Sequence, residues 1–82
     1  MKPCINLKTY IPNRKLWVST VAYNMIIGAG RTSETMAFSG SEKGIEDYEE
    51  LYFESHGSEG NEKTLKKEHR RIVKLLTEKG VL

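Results

Sequence analysis

Two histidines, His56 and His69, are the side chains in this sequence that can act as bases near neutral pH. His56 follows Glu54 and Ser55, so the residue types of a serine hydrolase occur side by side. Consecutive residues of an extended segment point in alternating directions, and these three therefore cannot assemble a nucleophile, a base and an orienting acid by themselves. His69 falls among apolar residues, where a packed and hydrogen-bonded role is the commoner one. We expect no catalytic residues and no enzymatic activity.

The spacing of the possible metal ligands does not indicate a metal site. The two histidines have neither i, i+4 nor zinc-finger spacing. Cys4 is the single cysteine, which excludes both an intramolecular disulfide and a multi-cysteine zinc site. We expect no metal ion and no cofactor.

A glycine-containing loop, Gly28-Ala29-Gly30-Arg31, is the remaining candidate for ligand binding. A dinucleotide fingerprint needs a third glycine and a helix that begins at once, and a nucleoside triphosphate loop ends in Lys-Ser or Lys-Thr. Neither feature occurs, so a flexible hairpin tip is the favoured interpretation. The alternative is that backbone amides at Gly28 and Gly30, beside Arg31, hold a small nucleotide-like anion in an oligomer.

Charge is strongly separated along the chain, although the net charge is only +2. Residues 42–62 are acidic, with Lys43 as the one lysine or arginine, and the segment that follows is basic. The two segments can attract each other across the fold, or one of them can meet a partner. An acidic surface can imitate nucleic-acid phosphate toward a protein partner, and the residues available for this are Glu46, Asp47, Glu49 and Glu50. A basic surface can bind phosphate itself, through Lys63, Lys66, Lys67, Arg70, Arg71 and Lys74.

The segments that must position these residues begin with alternation typical of β-strands. Residues 5–11 alternate apolar and polar side chains, and Pro12, Asn13 and Arg14 predict a turn. Residues 16–25, or as far as Ile27, predict the longest strand. Its two faces carry Val18, Thr20 and Ala22 on one side and Trp17, Ser19, Val21 and Tyr23 on the other.

Two further strands are predicted after the glycine loop. Residues 33–38 are expected to pair with the preceding strand, with Met36 and Phe38 on one side. Residues 51–54 predict a short fourth strand or strand-like edge in which Leu51 and Phe53 point inward. His56 falls in the loop that leads to the last element.

Residues 61–79 predict one amphipathic helix, with Asn61 as its N-cap and Gly80 just past its end. Its narrow apolar stripe consists of Leu65, His69, Ile72 and Leu76. The sequence therefore predicts a single α+β domain over residues 1–82, with strands and loops in 1–56. Its fold is a three- to four-stranded antiparallel sheet with one C-terminal helix packed on one face.

An aromatic patch is expected on the sheet face away from this helix. It would consist of Trp17, Tyr23 and Tyr52. An exposed patch of this kind suggests a protein partner or a second copy of the chain. With no apolar run long enough to span a membrane and no signal peptide, a soluble cytoplasmic protein with no membrane partner is expected.

Two short motifs connect the chain to other proteins. They are Trp17-Val18-Ser19-Thr20-Val21 and Glu34-Thr35-Met36-Ala37-Phe38, followed by a helix with a histidine in its stripe. This arrangement resembles a group of small uncharacterised proteins encoded by bacteriophages and prophages, in which a VSTV strand precedes an ETMxF strand. The resemblance implies a phage origin, an accessory role and, for this chain, the cytoplasm of the host cell.

The function expected from these observations is non-enzymatic binding. The favoured hypothesis is a phage-type inhibitor or modulator of a host protein, such as an anti-CRISPR-like inhibitor of a defence component. Two alternatives stay open: a nucleic-acid-binding accessory protein that uses the basic helix face, and a homo-oligomer that sequesters a nucleotide-like signal molecule.

Overall fold

The protein is built from a four-stranded antiparallel sheet and one helix that covers one side of it. A computed structural model describes residues 5–24, 31–44, 49–57 and 62–81. The elements are β1 (Ile5–Ile11), β2 (Leu16–Asn24), β3 (Arg31–Ser39), β4 (Glu50–Gly57) and α1 (Glu62–Lys79). The strands lie in sequence order, so β1 and β4 are the edges of the sheet. The predicted α+β class is confirmed.

A tight turn joins β1 to β2, as the sequence predicts. Pro12 supplies the fixed φ of its second position, and Arg14 N donates to Ile11 O at 3.2 Å. Lys15 then adopts φ 52°, a left-handed conformation that is uncommon for a residue with a Cβ. This turn brings Arg14 next to the end of α1.

The core lies between α1 and the inward face of the sheet. Register pairs Thr9 with Val18 and Val18 with Ala37, which places these side chains on one face. Apolar residues from both layers form one cluster, which consists of Ile11, Leu16, Val18, Ala37, Ile72 and Leu76. The predicted inward face of β2 is therefore confirmed.

The predicted helix stripe is confirmed residue by residue. The four buried residues of α1 are Leu65, His69, Ile72 and Leu76. The helix ends at Lys79. Gly80 follows it with a φ of 72°, which suits a residue without a Cβ, and its N–H donates to Leu76 O at 2.9 Å. The predicted N-cap Asn61 lies outside the described residues, as do Met25 and Ile27 at the predicted end of the second strand. Among the described residues, no helix is both long and apolar enough to cross a membrane.

The fourth strand differs from the prediction in length and in orientation. β4 extends to Gly57, so His56 lies within a strand rather than in a loop. Tyr52 pairs with Ala37 and Phe53 pairs with Met36, so Tyr52 lies on the face that α1 covers and its neighbours along the strand lie on the other face. Leu51 and Phe53 therefore face away from α1, contrary to the prediction.

Candidate functional site

Two threonines form the centre of a polar network between the sheet and α1. Thr20 on β2 and Thr35 on β3 are direct register partners, so their side chains lie next to each other on the face that α1 covers. Both residues are fully buried. Their hydroxyl oxygens lie 2.8 Å apart, and each oxygen also contacts one imidazole ring.

The first imidazole belongs to His69 in the middle of α1. Its Nδ1 lies 2.8 Å from Thr20 Oγ1, and its Nε2 lies 2.7 Å from Thr9 Oγ1 on β1. Burial lowers the pKa of His69 because the charged ring would lose its hydration. His69 is therefore a neutral residue that ties the helix to two strands, which agrees with the packed role expected from the sequence.

The second imidazole belongs to His56 on β4. Its Nε2 lies 2.8 Å from Thr35 Oγ1, and its Nδ1 faces Glu54 Oε1 at 3.5 Å. Its side chain is only 7% exposed. The two histidines are thus connected through two threonine hydroxyls, a link that sequence reasoning missed.

Glu54 joins this network to the surface of the protein. Tyr52 donates its hydroxyl proton to Glu54 Oε2 at 2.7 Å, and Arg71 of α1 contacts Glu54 Oε1. Burial by itself would raise the pKa of Glu54, but the Tyr52 hydrogen bond and the Arg71 charge outweigh it and hold that pKa below its usual value. Burial, followed by the Glu54 hydrogen bond, raises the pKa of Tyr52.

Arg71 connects the strand to the helix electrostatically. Its Nε and Nη2 both lie close to Glu68 Oε2, at 2.9 Å and 2.8 Å. The hydrogen bond to Glu68 is the main cause that raises the pKa of Arg71, burial opposes it, and the charge of Glu54 adds to the rise. The guanidinium therefore bridges two carboxylates, one on β4 and one on α1.

The position of the proton on His56 determines which atom donates in each hydrogen bond of the network. If His56 carries one proton, on the Nδ1 that faces Glu54, its Nε2 accepts a hydrogen bond from Thr35. Thr35 must then accept from Thr20, and Thr20 must accept from His69. In that arrangement both rings carry a proton on Nδ1, and the remaining nitrogen of His69 accepts from Thr9.

The structure tests whether Ser55 and His56 can act together as the nucleophile and base of a serine hydrolase. Ser55 pairs with Glu34 on the opposite face of the sheet, so it cannot receive a base from His56. The hydroxyls that do meet an imidazole, Thr20 and Thr35, are fully buried. A substrate cannot reach them in this conformation.

A possible metal-ligand group lies at the outer end of the network. Glu54, His56 and Glu68 each offer one ligand atom, and these atoms all lie within 4.8 Å of one another. The histidine-to-histidine spacings considered above could not reveal this group, because its members come from a strand and a helix. The i, i+2 spacing of Tyr52, Glu54 and His56 was the available signal, since alternate residues of a strand share a face.

The open face of the sheet, which points away from α1, carries the aromatic residues. Register places Trp17 opposite Phe38 and Met36 opposite Phe53. The rings of Tyr10 and Trp17 contact each other with centroids 5.2 Å apart. We call the patch formed by Tyr10, Trp17, Met36, Leu51 and Phe53 the aromatic face.

The predicted members of this patch fall on different sides of the sheet. Trp17 and Tyr23 belong to the open face, as expected from the alternation in β2. Tyr52 does not, because it packs against the core cluster and bonds to Glu54. Its place is taken by Leu51 and Phe53, which are 37% and 51% exposed.

The acidic candidates are only partly within the described residues. Glu49 and Glu50 are exposed at the start of β4, next to Leu51. Glu46 and Asp47 lie outside the described residues. Two exposed carboxylates therefore flank the aromatic face.

The basic face of α1 is exposed, but its cations differ in how freely they can bind phosphate. The six predicted residues, Lys63, Lys66, Lys67, Arg70, Arg71 and Lys74, are all exposed. Lys66 pairs with Glu62 at 3.2 Å, and Arg71 is held by Glu54 and Glu68. Four residues of the set have no ion pair among the described residues: Lys63, Lys67, Arg70 and Lys74.

The structure does not describe the glycines of the candidate ligand loop, Gly28-Ala29-Gly30-Arg31. Gly28 and Gly30 lie outside the described residues, and Arg31 begins β3. A shallow depression does lie at the opposite end of the sheet, lined by Arg14, Lys15, Leu16, Ser39, Gly40, Ser41 and Leu51. Neither histidine lines it, so it is separate from the polar network.

Comparison with protein families, curated proteins and solved structures finds no match to this chain. The resemblance to phage proteins therefore stays a prediction.

Proposed function

We propose that this protein is a non-enzymatic binding domain that docks a partner protein on the aromatic face at β4. One observation carries the proposal: Phe53 is 51% exposed and Leu51 is 37% exposed on an edge strand, on the side that α1 leaves open. Large apolar side chains that a fold presents in this way often mark an interaction site.

The aromatic face is supported by contacts that hold its members in place. Trp17 donates its indole N–H to Ser41 O at 2.9 Å and packs its ring on Tyr10. Phe53 lies directly across from Met36 on the neighbouring strand. Side chains that are ordered before binding lose little conformational entropy in a complex, and aromatic residues are enriched among those that dominate binding energy.

The edge position of β4 adds a second mode of contact. β3 pairs with one side of β4, and no described strand pairs with the other. A partner strand can therefore add to this edge through main-chain hydrogen bonds while Leu51 and Phe53 supply apolar contacts. The exposed carboxylates of Glu49 and Glu50 favour a partner with basic residues around its apolar site.

The polar network supports a role without catalysis. Its two central hydroxyls are sealed beneath α1 and satisfy two imidazoles. We extend the proposal to an inhibitor or modulator of a host protein, as in an anti-defence protein, because of the VSTV and ETMxF motifs. That extension depends on the resemblance and on no contact in the structure.

The deciding experiment compares Phe53→Ser with Lys67→Ser, a substitution on the exposed outer face of α1. A photo-crosslinking residue at position 51 identifies the partner in bacterial lysate, and the purified partner is then titrated against each variant. We expect Phe53→Ser to weaken binding at least tenfold, as is typical of a central aromatic contact, and Lys67→Ser to leave it unchanged. If the parent protein, Phe53→Ser and Lys67→Ser bind the partner with equal affinity, docking on the aromatic face is rejected.

Light scattering on the pure protein measures whether a second copy of this chain binds to the aromatic face. Association that Phe53→Ser abolishes would make the partner another copy of this chain, so the host-protein extension would be withdrawn. A monomer at every concentration leaves a different protein as the occupant.

A second candidate function is nucleic-acid binding through α1. It is favoured by the exposure of Lys63, Lys67, Arg70 and Lys74 along one helix. The commitment of Arg71 to two carboxylates reduces the positive charge that this face can offer. Sequestration of a nucleotide-like anion at the glycine loop stays a prediction from the sequence.

A further inference from the structure

We propose that Glu54, His56 and Glu68 form a binding site for a divalent transition-metal ion of the zinc type, and that the Arg71 guanidinium takes the place of that ion in the metal-free protein. The site lies on the face of the sheet opposite to the aromatic face, and the proposal does not depend on the proposed function.

The donor set suits such an ion. Two carboxylates and one imidazole provide mixed oxygen and nitrogen ligands, which zinc accepts and which magnesium and calcium use much less. His56 Nδ1 and Glu54 Oε1 are 3.5 Å apart. Two ligands of one tetrahedral zinc ion are separated by about 3.4 Å, because each bond is about 2.1 Å long. Glu68 must move its flexible side chain by only a small distance to join them, since all three ligand atoms lie within 4.8 Å.

Hydrogen bonds already orient two of the three ligands from behind. Thr35 contacts the far nitrogen of His56 at 2.8 Å, and Tyr52 contacts the far oxygen of Glu54 at 2.7 Å. Metal-binding residues in proteins commonly have such outer partners, which fix the ring and the carboxylate in position. With a metal on Nδ1, His56 would donate its remaining proton from Nε2 to Thr35. The network can accommodate this by reversing its direction.

Arg71 identifies the location as one that already holds a cation. Its Nη2 contacts Glu54 Oε1 and Glu68 Oε2 at once. The arginine side chain is 48% exposed, so it can swing into solvent without leaving a buried charge behind. Two carboxylates with one guanidinium leave a formal charge of −1, whereas a divalent ion in its place would neutralise the pair.

Competition between Arg71 and the metal gives the sharpest test. Zinc alone is titrated by calorimetry into untagged protein with Cys4→Ser, since a thiolate also binds zinc. We expect one zinc ion per chain, and we expect Arg71→Ala to bind it about fivefold to tenfold more tightly because two partly exposed ion pairs no longer compete. Arg70→Ala, the matched control next to it, should bind like the parent.

Removal of a ligand should have the opposite effect. Glu68→Gln is expected to weaken zinc binding at least tenfold, and its control Glu78→Gln, which is exposed on the same helix, should not. Because Glu68 lies on the helix surface, its variant should remain folded even if His56→Gln does not. The proposal is overturned if Arg71→Ala binds zinc no more tightly than the parent, or if Glu68→Gln binds it equally well.

Discussion

The hydroxyl groups of Thr20 and Thr35 lie 2.8 Å apart in the middle of the sheet, and each connects to a different histidine. A threonine hydroxyl has one proton to donate, so the pair can pass hydrogen bonds in only one direction at a time. Protonation of His56 on both nitrogens would require Thr35 to accept from it, which reverses every bond as far as His69. If both rings were charged, one hydroxyl proton would have no acceptor in the network. The two histidines are therefore coupled, although they do not touch.

This coupling predicts non-additive effects of threonine substitution. Thr20→Val and Thr35→Val should each lower the free energy of unfolding by about 1–3 kcal/mol, because each leaves a buried imidazole nitrogen without its partner. The double variant should lose less than the sum of the two, since the hydrogen bond between the hydroxyls is lost only once. Urea denaturation measures all four proteins. Lys8→Val, at an exposed position of β1, is the control and should change stability by less than about 0.5 kcal/mol; strictly additive losses would contradict the coupling.

His69 predicts a loss of stability in mild acid. Burial lowers the pKa of this ring below its usual value of 6.5. Between the lowered pKa and 6.5 the unfolded chain binds more protons at this residue than the folded chain, so the free energy of unfolding falls as pH falls from about 6.5. Above that pH the ring is neutral in both states and has no effect.

Urea denaturation between pH 8 and pH 5, with a chelator present, measures this dependence. His69→Gln should remove the part of the slope that lies just below pH 6.5. Glu54 acts in a separate window, because its lowered pKa makes its contribution disappear only in acid below its usual value of 4.5. An unchanged slope in His69→Gln would mean that another group controls the mild-acid response.

The sequence predicts most of the fold but not the arrangement of β4. Alternation in β2 and the helical stripe of α1 have long, clear periods, so their inward faces can be derived from residue types alone. In β4 only Leu51 and Phe53 are plainly apolar at alternate positions. Alternate apolar residues of a strand usually face the core, so the sequence predicts that these two point inward. The pairing of Phe53 with Met36 turns these two residues outward instead, and pairing to β3 is a tertiary property that a short segment does not reveal.

The candidate site could be predicted only in part, because some of its contacts also depend on how β4 pairs with β3. The position of His69 in the apolar stripe predicts a packed, hydrogen-bonded histidine. The partners of His56 come from another strand and from the helix. Their proximity depends on the same β4 orientation that the sequence leaves open.

Arg14 is predicted to stabilise the end of α1. Its Nε donates to Thr77 O at 3.3 Å and its Nη2 donates to Glu78 O at 3.0 Å. A cation at the last carbonyls of a helix satisfies their acceptors and interacts favourably with the helix dipole. Arg14→Ala should therefore lower the free energy of unfolding by about 0.3–1 kcal/mol in low salt. Thermal melts at low and high salt check this, with Arg70→Ala as the control; a loss independent of salt would point to packing instead of charge.

The basic face of α1 makes a prediction that separates the two candidate functions. If it binds duplex DNA, the four cations that have no ion pair within the described part of the chain, Lys63, Lys67, Arg70 and Lys74, should release about four counterions. A plot of log affinity against log salt should then have a slope of about −3.6. Arg70→Ala should reduce that slope by about one unit. Arg71→Ala should leave it nearly unchanged, because Arg71 already neutralises Glu54 and Glu68. Fluorescence anisotropy with a short duplex at several salt concentrations measures these slopes, and binding that salt does not weaken would exclude phosphate contact by this face.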